Sequence, residues 1–545
     1  MTSGAPLGAV IAPRPSLPKD GARKREWCTM VRFLIGAIFA CALLSVTPFA
    51  DAAESEAHPS PSATPIEGLP HTRTAMSHHH VAFAGGSSDY RATAGFTTLV
   101  DKDGQPDAAM FSVAYESESA SHATRPVAFL WNGGPGSSTL WLHMGSFGPL
   151  RVATNGLGAI VPPGHLVPNE SSLLDATDLV FVDAPSTGYS RIGAKAKKTD
   201  FYGIDQDARA FEQFIKRWLT DHDRWGSPKF LIGESYGTTR AANVVDRLQE
   251  DGVGVNGVVL ISSALDFTAL DPALPGDDLS NVGFLPTEAA VAWYHNALPG
   301  ERPAQIAPFL DEVRAYARGP YATALLRGDQ LDAATRADVI AHLHRYTGLD
   351  AAYIDRAELR IDPTRFEKEL QRTSGKITGR LDGRFLGYDL DRNADSPAYD
   401  PTLDASIQDA FVSEFNRYIR DDLAFKSDEA YKPSAYGELG QWDLTRNAGD
   451  VGLGNVGLPN VIPDLAQALT RNPALRVFSA NGLFDLATPF FGTEIALHHL
   501  GLDPALRDHV SFGYYASGHM IYLEDAARHQ LHADIASFIH GAVAH

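Results

Sequence analysis

A strand, a sharp turn and a helix stand side by side at residues 229–248. Lys229, Phe230, Leu231 and Ile232 form a short apolar run, Gly233-Glu234-Ser235-Tyr236-Gly237 follows, and residues 238–248 carry a helical pattern. A turn this tight between strand and helix pushes one serine hydroxyl out above a sheet. Both glycines are demanded sterically, because the two backbones pass too closely for a Cβ. A chain of this composition should show roughly 0.3 Gly-x-Ser-x-Gly patterns by accident, so the flanking elements carry the inference.

The surroundings fit that turn. Strand-like runs recur at residues 127–131, 178–182, 229–232 and 257–261, continuously apolar as strands covered on both faces should be. Between two of them, Phe211, Phe214, Ile215, Trp218 and Leu219 fall on one face of an amphipathic helix. Alternation of strand and helix predicts an α/β fold with a mostly parallel sheet and helices packed on it. Residues 95–100 and 109–115 make a β-rich start. The rhythm breaks from about 270 to 455, where the chain turns helical and richer in charge. It resumes with strands at 476–480 and 509–515 and a last helix at 526–539. The core is therefore placed over residues 80–270 and 456–545, with an inserted, mainly helical cap over 271–455.

The chain has 545 residues and is 44% hydrophobic, enough for one large core. Its 46 Lys and Arg face 66 Asp and Glu, a formal charge of -20, and no basic block is long enough to track a phosphate backbone. Nucleic acid is excluded as a partner on that ground. Residues 33–46 form an apolar run of about 14 residues after Arg23, Lys24, Arg25 and Arg32, with small residues at Ala50, Ala52 and Ala53 behind it. A bilayer span needs about 20 apolar residues, so this reads as a secretory signal within a leader over 1–53, with translation starting at Met1 or Met30. Phe39 makes the alternative, lipidation at Cys41, a poor fit. Export to the periplasm or the medium, with no membrane span in the mature chain, is the expectation. Residues 54–79 read as a flexible lead-in. Both cysteines, Cys28 and Cys41, fall in the leader. A chain cut near Ala53 then has no thiol, disulfide or thiolate metal site.

A serine hydroxyl becomes a nucleophile only when a base takes its proton and an acid holds that base in one tautomer. On a sheet bearing such a turn the chain order is serine, acid, histidine. Asp485 lies in a loop just past the strand at 476–480, and His519 lies in the loop before the last helix. Ligand chemistry in open α/β sheets gathers at these strand ends. Alone, Asp485 would be a solvated loop carboxylate and His519 one of 20 histidines. Their order behind Ser235 makes them a candidate triad. His78, His79 and His80 imitate a metal tract, but no carboxylate cluster accompanies them in the sequence, and no metal or other cofactor is expected. A second constellation, Asn132-Gly133-Gly134-Pro135-Gly136-Ser137-Ser138, ends the strand at 127–131. Its glycines bare the backbone N–H groups that an oxyanion hole or a carboxylate nest requires.

Taken in order, residues 132–138, the stretch 178–190, Gly233 to Gly237, Asp485 and Gly518-His519-Met520 resemble the landmarks of the serine carboxypeptidases. The likeness covers most of 80–270 and 460–545 and leaves the cap unmatched. It implies an α/β-hydrolase fold with Ser235 as nucleophile, His519 as base and Asp485 as its orienting acid. It also implies an oxyanion hole from the N–H groups of Gly134 and Tyr236. Asn132, Gly133 and Glu234 would bind the free C-terminal carboxylate of a peptide substrate, with Glu234 protonated, since an ionised carboxylate would repel it. Three departures stand out. Ser146 occupies or adjoins the place of the family's second glutamate, Leu130 takes the place of a tryptophan that moves to Trp131, and Ser137 replaces a cysteine. The rival readings are an esterase or acyltransferase on the same triad, and a non-catalytic binding protein on a hydrolase fold.

Overall fold

The computed structural model describes residues 68–69 and 73–544, apart from 84, 119–123, 271–276, 439, 441, 448–454 and 457–458. The leader, both cysteines and most of the lead-in lie outside the described residues.

Among the described residues, ten strands make one sheet. Nine of them are β1 (Ala75–Phe83), β2 (Gly86–Val100), β3 (Pro106–Ser117), β4 (Val127–Trp131), β5 (Asp178–Val182), β6 (Lys229–Ser235), β7 (Gly257–Ser263), β8 (Arg476–Gly482) and β9 (Val510–Tyr515). The tenth, Arg191–Ile192, pairs with β3. Their spatial order is β1-β2-β3-β5-β4-β6-β7-β8-β9. The first three strands and the step to β5 are antiparallel, and from β5 to β9 every pairing is parallel. With β6 running straight into a helix at Ser235, this is the α/β-hydrolase order.

Side chains alternate between two buried faces, as the period of a strand requires. Leu130, Phe230, Ile232, Val259, Ile261 and Ala480 point to one apolar cluster; Phe129, Trp131, Leu231, Val258, Leu260 and Val477 point to the other. The second face is covered by α1 (Ile204–Asp221), α2 (Tyr236–Glu250) and a helix over Ile462–Arg471. Phe211, Phe214, Ile215, Trp218 and Leu219 of α1 are all buried there, which is the stripe read from the sequence. The chain's last helix, Asp525–Val543, closes the first face with Leu531, Ile535 and Ile539.

Two boundaries differ from the sequence reading. The sheet starts at Ala75, so residues 75–79, expected in a flexible lead-in, are an edge strand paired with β2. The stretch 271–455 also divides in two. Helices Leu279–Tyr294, Ile306–Tyr316 and Ala333–Thr347 build a third apolar cluster with Phe484, Leu486, Phe490 and Phe491. Helix Gln408–Asp421 instead sends Phe411, Phe415 and Tyr418 into the first core cluster. Apolar surface on that helix matches the sheet face, so it packs as core although it arrives from the insertion.

Candidate active site

Parallel pairing brings the expected residues to one edge. Trp131 pairs with Gly233 and Gly482 with Tyr515, so the loops that follow β4, β6, β8 and β9 leave the sheet on the same side. Ser235 sits at the tip of β6 with φ 61 and ψ -132, a backbone state costing of order 1–3 kcal/mol for a residue with a side chain. The turn is as tight as the glycines suggested. A Cβ on Gly233 would lie 2.1 Å from the Gly237 carbonyl oxygen, and one on Gly237 would lie 2.9 Å from that of Trp131.

The loop after β4 is pressed against this elbow. A Cβ on Gly133 would come within 2.4 Å of the Tyr236 nitrogen and 2.6 Å of that of Gly237. Gly134 has φ 106, a conformation side chains avoid. Buried polar bonds lock the loop: Arg240 donates to the Asn132 carbonyl at 2.7 Å and to Asp207 at 2.8 Å, and Trp131 Nε1 donates to the Gly237 carbonyl at 2.8 Å. Asn132 then lends both ends of its amide, accepting from the Leu142 N–H at 2.9 Å and donating to Glu234 Oε1 at 2.7 Å.

Glu234 is fully buried. Burial raises its pKa to about 7, against the opposing pull of the His519 charge, the Tyr522 hydroxyl and the Asn132 amide. The second carboxyl oxygen of Glu234 and the Tyr522 hydroxyl are buried and neither has an aligned hydrogen bond, although each acts on the other's ionisation. Ser146, the expected stand-in for a second acid, is wholly buried and donates to the carbonyl of Leu142 instead.

Asp485 is buried beneath His519. The imidazole Nδ1 lies 2.8 Å from Asp485 Oδ2, while Asp485 Oδ1 accepts the N–H groups of Ala487 at 2.8 Å and Thr488 at 2.9 Å. Thr488 Oγ1 donates to Asp485 Oδ2 at 2.6 Å. Burial pulls the His519 pKa down, but the charge and hydrogen bond of Asp485 and the charge of Glu234 outweigh it, and the net shift is upward. A carboxylate holding Nδ1–H leaves Nε2 free as the basic nitrogen. Ser235 Oγ itself makes no hydrogen bond among the described residues.

One component is not legible in the sequence. Residues 380–384, from the insertion, thread between the Asp485 and His519 loops. The His519 N–H donates to the Leu381 carbonyl at 2.6 Å, the Leu486 N–H to that of Arg380 at 3.1 Å, and the Gly383 N–H to that of Phe484 at 2.9 Å. Buried Asp382 accepts from Arg384 at 2.6 Å and from the Gly518 N–H at 3.1 Å, and Arg384 donates to the Ala516 carbonyl at 2.6 Å. A lone Asp-Gly-Arg in a helical stretch reads as a turn, so only the third dimension shows its partners.

Among the departures, Trp131 has a structural consequence. One residue's shift along a strand changes the face, so its ring enters the helix-covered cluster while Leu130 fills the opposite one. His78 and His80 reach Glu118 at 2.7 Å and Asp89 at 2.8 Å, and His79 stacks on Tyr90. No group of three or more potential ligands is arranged around a metal position among the described residues.

Residues 85–256 match the family model of the serine carboxypeptidases. That segment is similar to the serine carboxypeptidases, and the rest of the chain lies outside the match. A pheromone-processing carboxypeptidase KEX1 of Phaeosphaeria nodorum is 29% identical over 139 residues, 25% of this chain and 20% of the relative. The P-(S)-hydroxymandelonitrile lyase of Sorghum bicolor is 28% identical over 178 residues, covering 31% and 32%. The serine carboxypeptidase-like 33 of Arabidopsis thaliana is 27% identical over 146 residues, covering 26% and 28%. These matches span between a fifth and a third of each relative's length. Among solved structures, a monoglyceride lipase of Saccharomyces cerevisiae aligns at a TM-score of 0.33 with 10% identity, over 82% of this chain and 95% of its own. The fold assignment rests on the strand order, not on that likeness.

Proposed function

We propose that this chain is an exported serine-type carboxypeptidase that removes residues from the free C-terminus of peptides through an acyl-enzyme. The observation that carries the reading is the buried Asp485–His519 pair at 2.8 Å, beside a serine on a strained strand-to-helix turn. Ser235 Oγ attacks the scissile carbonyl while His519 Nε2 takes its proton, and Asp485 fixes the tautomer and steadies the imidazolium. The developing oxyanion takes N–H groups from Gly134 and Tyr236, the latter at the N-terminus of α2. His519 returns the proton to the departing amino group, and water then releases the acyl group by the same route reversed. Asn132, Gly133 and a neutral Glu234 receive the terminal carboxylate of the substrate. The leader over 1–53 directs export, the core over 75–270 and 456–545 with the helix Gln408–Asp421 carries the chemistry, and the rest of the insertion shapes specificity.

Ester hydrolysis or acyl transfer on the same triad is the second reading. What favours it is Ser146, whose hydroxyl is committed to Leu142 and leaves Glu234 without a partner acid. The test is to incubate the purified protein with a peptide library and read the products by mass spectrometry, with a fluorophosphonate probe alongside. Ladders shortened from the C-terminus and labelling at Ser235 are expected. Labelling with esters cleaved and free-acid peptides untouched would replace the first reading with the second. Absence of labelling would remove both.

A further inference from the structure

One charge beside the site lacks a partner. Arg380 is exposed, and among the described residues its guanidinium makes no hydrogen bond or ion pair. Its backbone, by contrast, is firmly held. Its N–H donates to Asp400 Oδ1 at 3.2 Å and its carbonyl accepts the Leu486 N–H at 3.1 Å, while the next carbonyl accepts the His519 N–H at 2.6 Å. Arg380 is thus tied within one residue of both triad loops.

The nearby carboxylates are occupied or neutral. Asp382 is engaged by Arg384 and the Gly518 N–H. Asp400 accepts the N–H groups of Arg380, Leu381 and Thr402. Glu367 is buried with one carboxyl oxygen unpartnered, and burial holds it protonated far above the ordinary range. The positive charge of Arg380 bears on His519 and on Tyr436, as well as on the carboxyls of Asp400 and Glu367 behind it. The Tyr436 ring lies 3.2 Å from where a Cβ on Gly134 would stand. The Arg380 backbone therefore stands beside the His519 loop, and its charge reaches both the imidazole and the Tyr436 ring next to Gly134. An unpaired cation there opposes the imidazolium that catalysis must form. An anion on the substrate would cancel that opposition at the moment of binding.

We propose that Arg380 is a specificity-determining residue that docks a carboxylate of the peptide substrate over the site. The carboxylate comes either from the terminus of the departing residue or from an Asp or Glu side chain beside the scissile bond. The inference rests on the reading of Ser235, Asp485 and His519 as a peptidase triad, but binding can be measured without turnover.

The experiment uses the Ser235→Ala protein, alone and with Arg380→Gln or Arg380→Lys, and fluorescent N-acylated peptides. Each peptide is made as free acid and as amide, and with Asp or Asn as its last residue. In the Ser235→Ala background, Arg380→Gln should weaken binding of one carboxylate-bearing form by about tenfold and leave its neutral counterpart within twofold, with Arg380→Lys intermediate. Loss confined to free acids assigns the terminal carboxylate, and loss confined to Asp over Asn assigns the side chain. Equal losses on charged and neutral peptides, no change on either, or no binding of any charged form would overturn the proposal. The protein with Ser235 intact is assayed on the same peptides. Lack of shortened products there fails the peptidase reading without touching the binding comparison.

Discussion

The two sides of the site are held by different physics. On the Ser235 side, backbone lies against backbone: a Cβ on Gly133 or Gly233 would fall 2.1–2.4 Å from main-chain atoms. On the Asp485–His519 side, charged side chains join the backbone in the holding, with Asp382 and Arg384 of the insertion bonded into the His519 loop beside main-chain bonds from residues 380–383. The first arrangement should tolerate loss of the Ser235 hydroxyl but not gain of a methyl on Gly133 or Gly233. The second should tolerate small shape changes but not loss of a charge. On the proposed reading, a rigid nucleophile faces an acid and base braced by residues 380–384, so the rest of the insertion can vary with specificity while that five-residue clamp stays bound to the chemistry.

The sharpest break of that comparison is at Ser235. Ser235→Ala should lower kcat by roughly 10⁴–10⁶-fold, since nucleophile and base act as one unit. It should leave the denaturation midpoint nearly unchanged, because close-packed backbone and not the hydroxyl shapes the turn. A large stability loss in this variant would show that the elbow depends on its side chain.

Asp382→Ala probes the other side. It strands the buried Arg384 guanidinium and the Gly518 N–H, a loss of about 3–5 kcal/mol for a broken buried pair. Urea denaturation should show that loss, and kcat should fall with it as the His519 loop loosens. A variant as stable and active as the parent would mean that backbone bonds from Leu381 and Gly383 hold the loops unaided.

Glu234 lies where the two sides meet, and its effect depends on pH. Its carboxyl keeps a proton up to about pH 7 in the folded chain and loses it at about 4.5 when unfolded. A raised acid pKa stabilises the fold relative to the unfolded chain only while both are protonated. As pH rises from about 4.5 to about 7 the unfolded state gains by ionising and stability falls, by about 3 kcal/mol in all. Above pH 7 this group adds no further change. Glu234→Gln should flatten that slope in urea titrations at pH 4.5 and 7.5. An unchanged slope in the variant would place the pH dependence on other groups.

How much of this could be read beforehand follows the same division. The elbow, the strand rhythm and the chain order of Ser235, Asp485 and His519 are local patterns, and the structure brings Asp485 and His519 into contact behind that order. The order alone could not show that Asn132 would bridge Glu234 to the Leu142 N–H, because that needs the register of β4 against β6. Asp382 and Arg384 were hidden for another reason: the Gly518 N–H and the Ala516 carbonyl that they bond lie 136 and 132 residues away in the sequence, and a charged turn inside a helical stretch looks like solvated surface. The helix at Gln408–Asp421 misled in the opposite direction. It carries an apolar face like any cap helix, and only the shape of the sheet's first face reveals that it belongs to the core.

The smallest expected effect is also the most discriminating about Glu234. The Tyr522 ring is wedged against main chain, with its Cε2 only 2.4 Å from where a Cβ on Gly145 would sit, so Tyr522→Phe should keep the ring in place and remove only the hydroxyl. That hydroxyl favours the ionised form of Glu234. Its loss should therefore move the Glu234 pKa upward from about 7, by roughly half a unit to one unit. The pH window over which stability declines should stretch upward by the same amount. Any preference for free-acid over amidated peptides should likewise persist to higher pH, because it requires a protonated Glu234. Ester turnover should change little, since the hydroxyl touches neither Asp485 nor His519. The measurement is kcat/KM against pH for a free-acid peptide and its amide, in parent and variant, with urea denaturation across the same range. A midpoint that moves down would mean that the hydroxyl bonds the protonated carboxyl and so helps keep Glu234 ready for a substrate carboxylate.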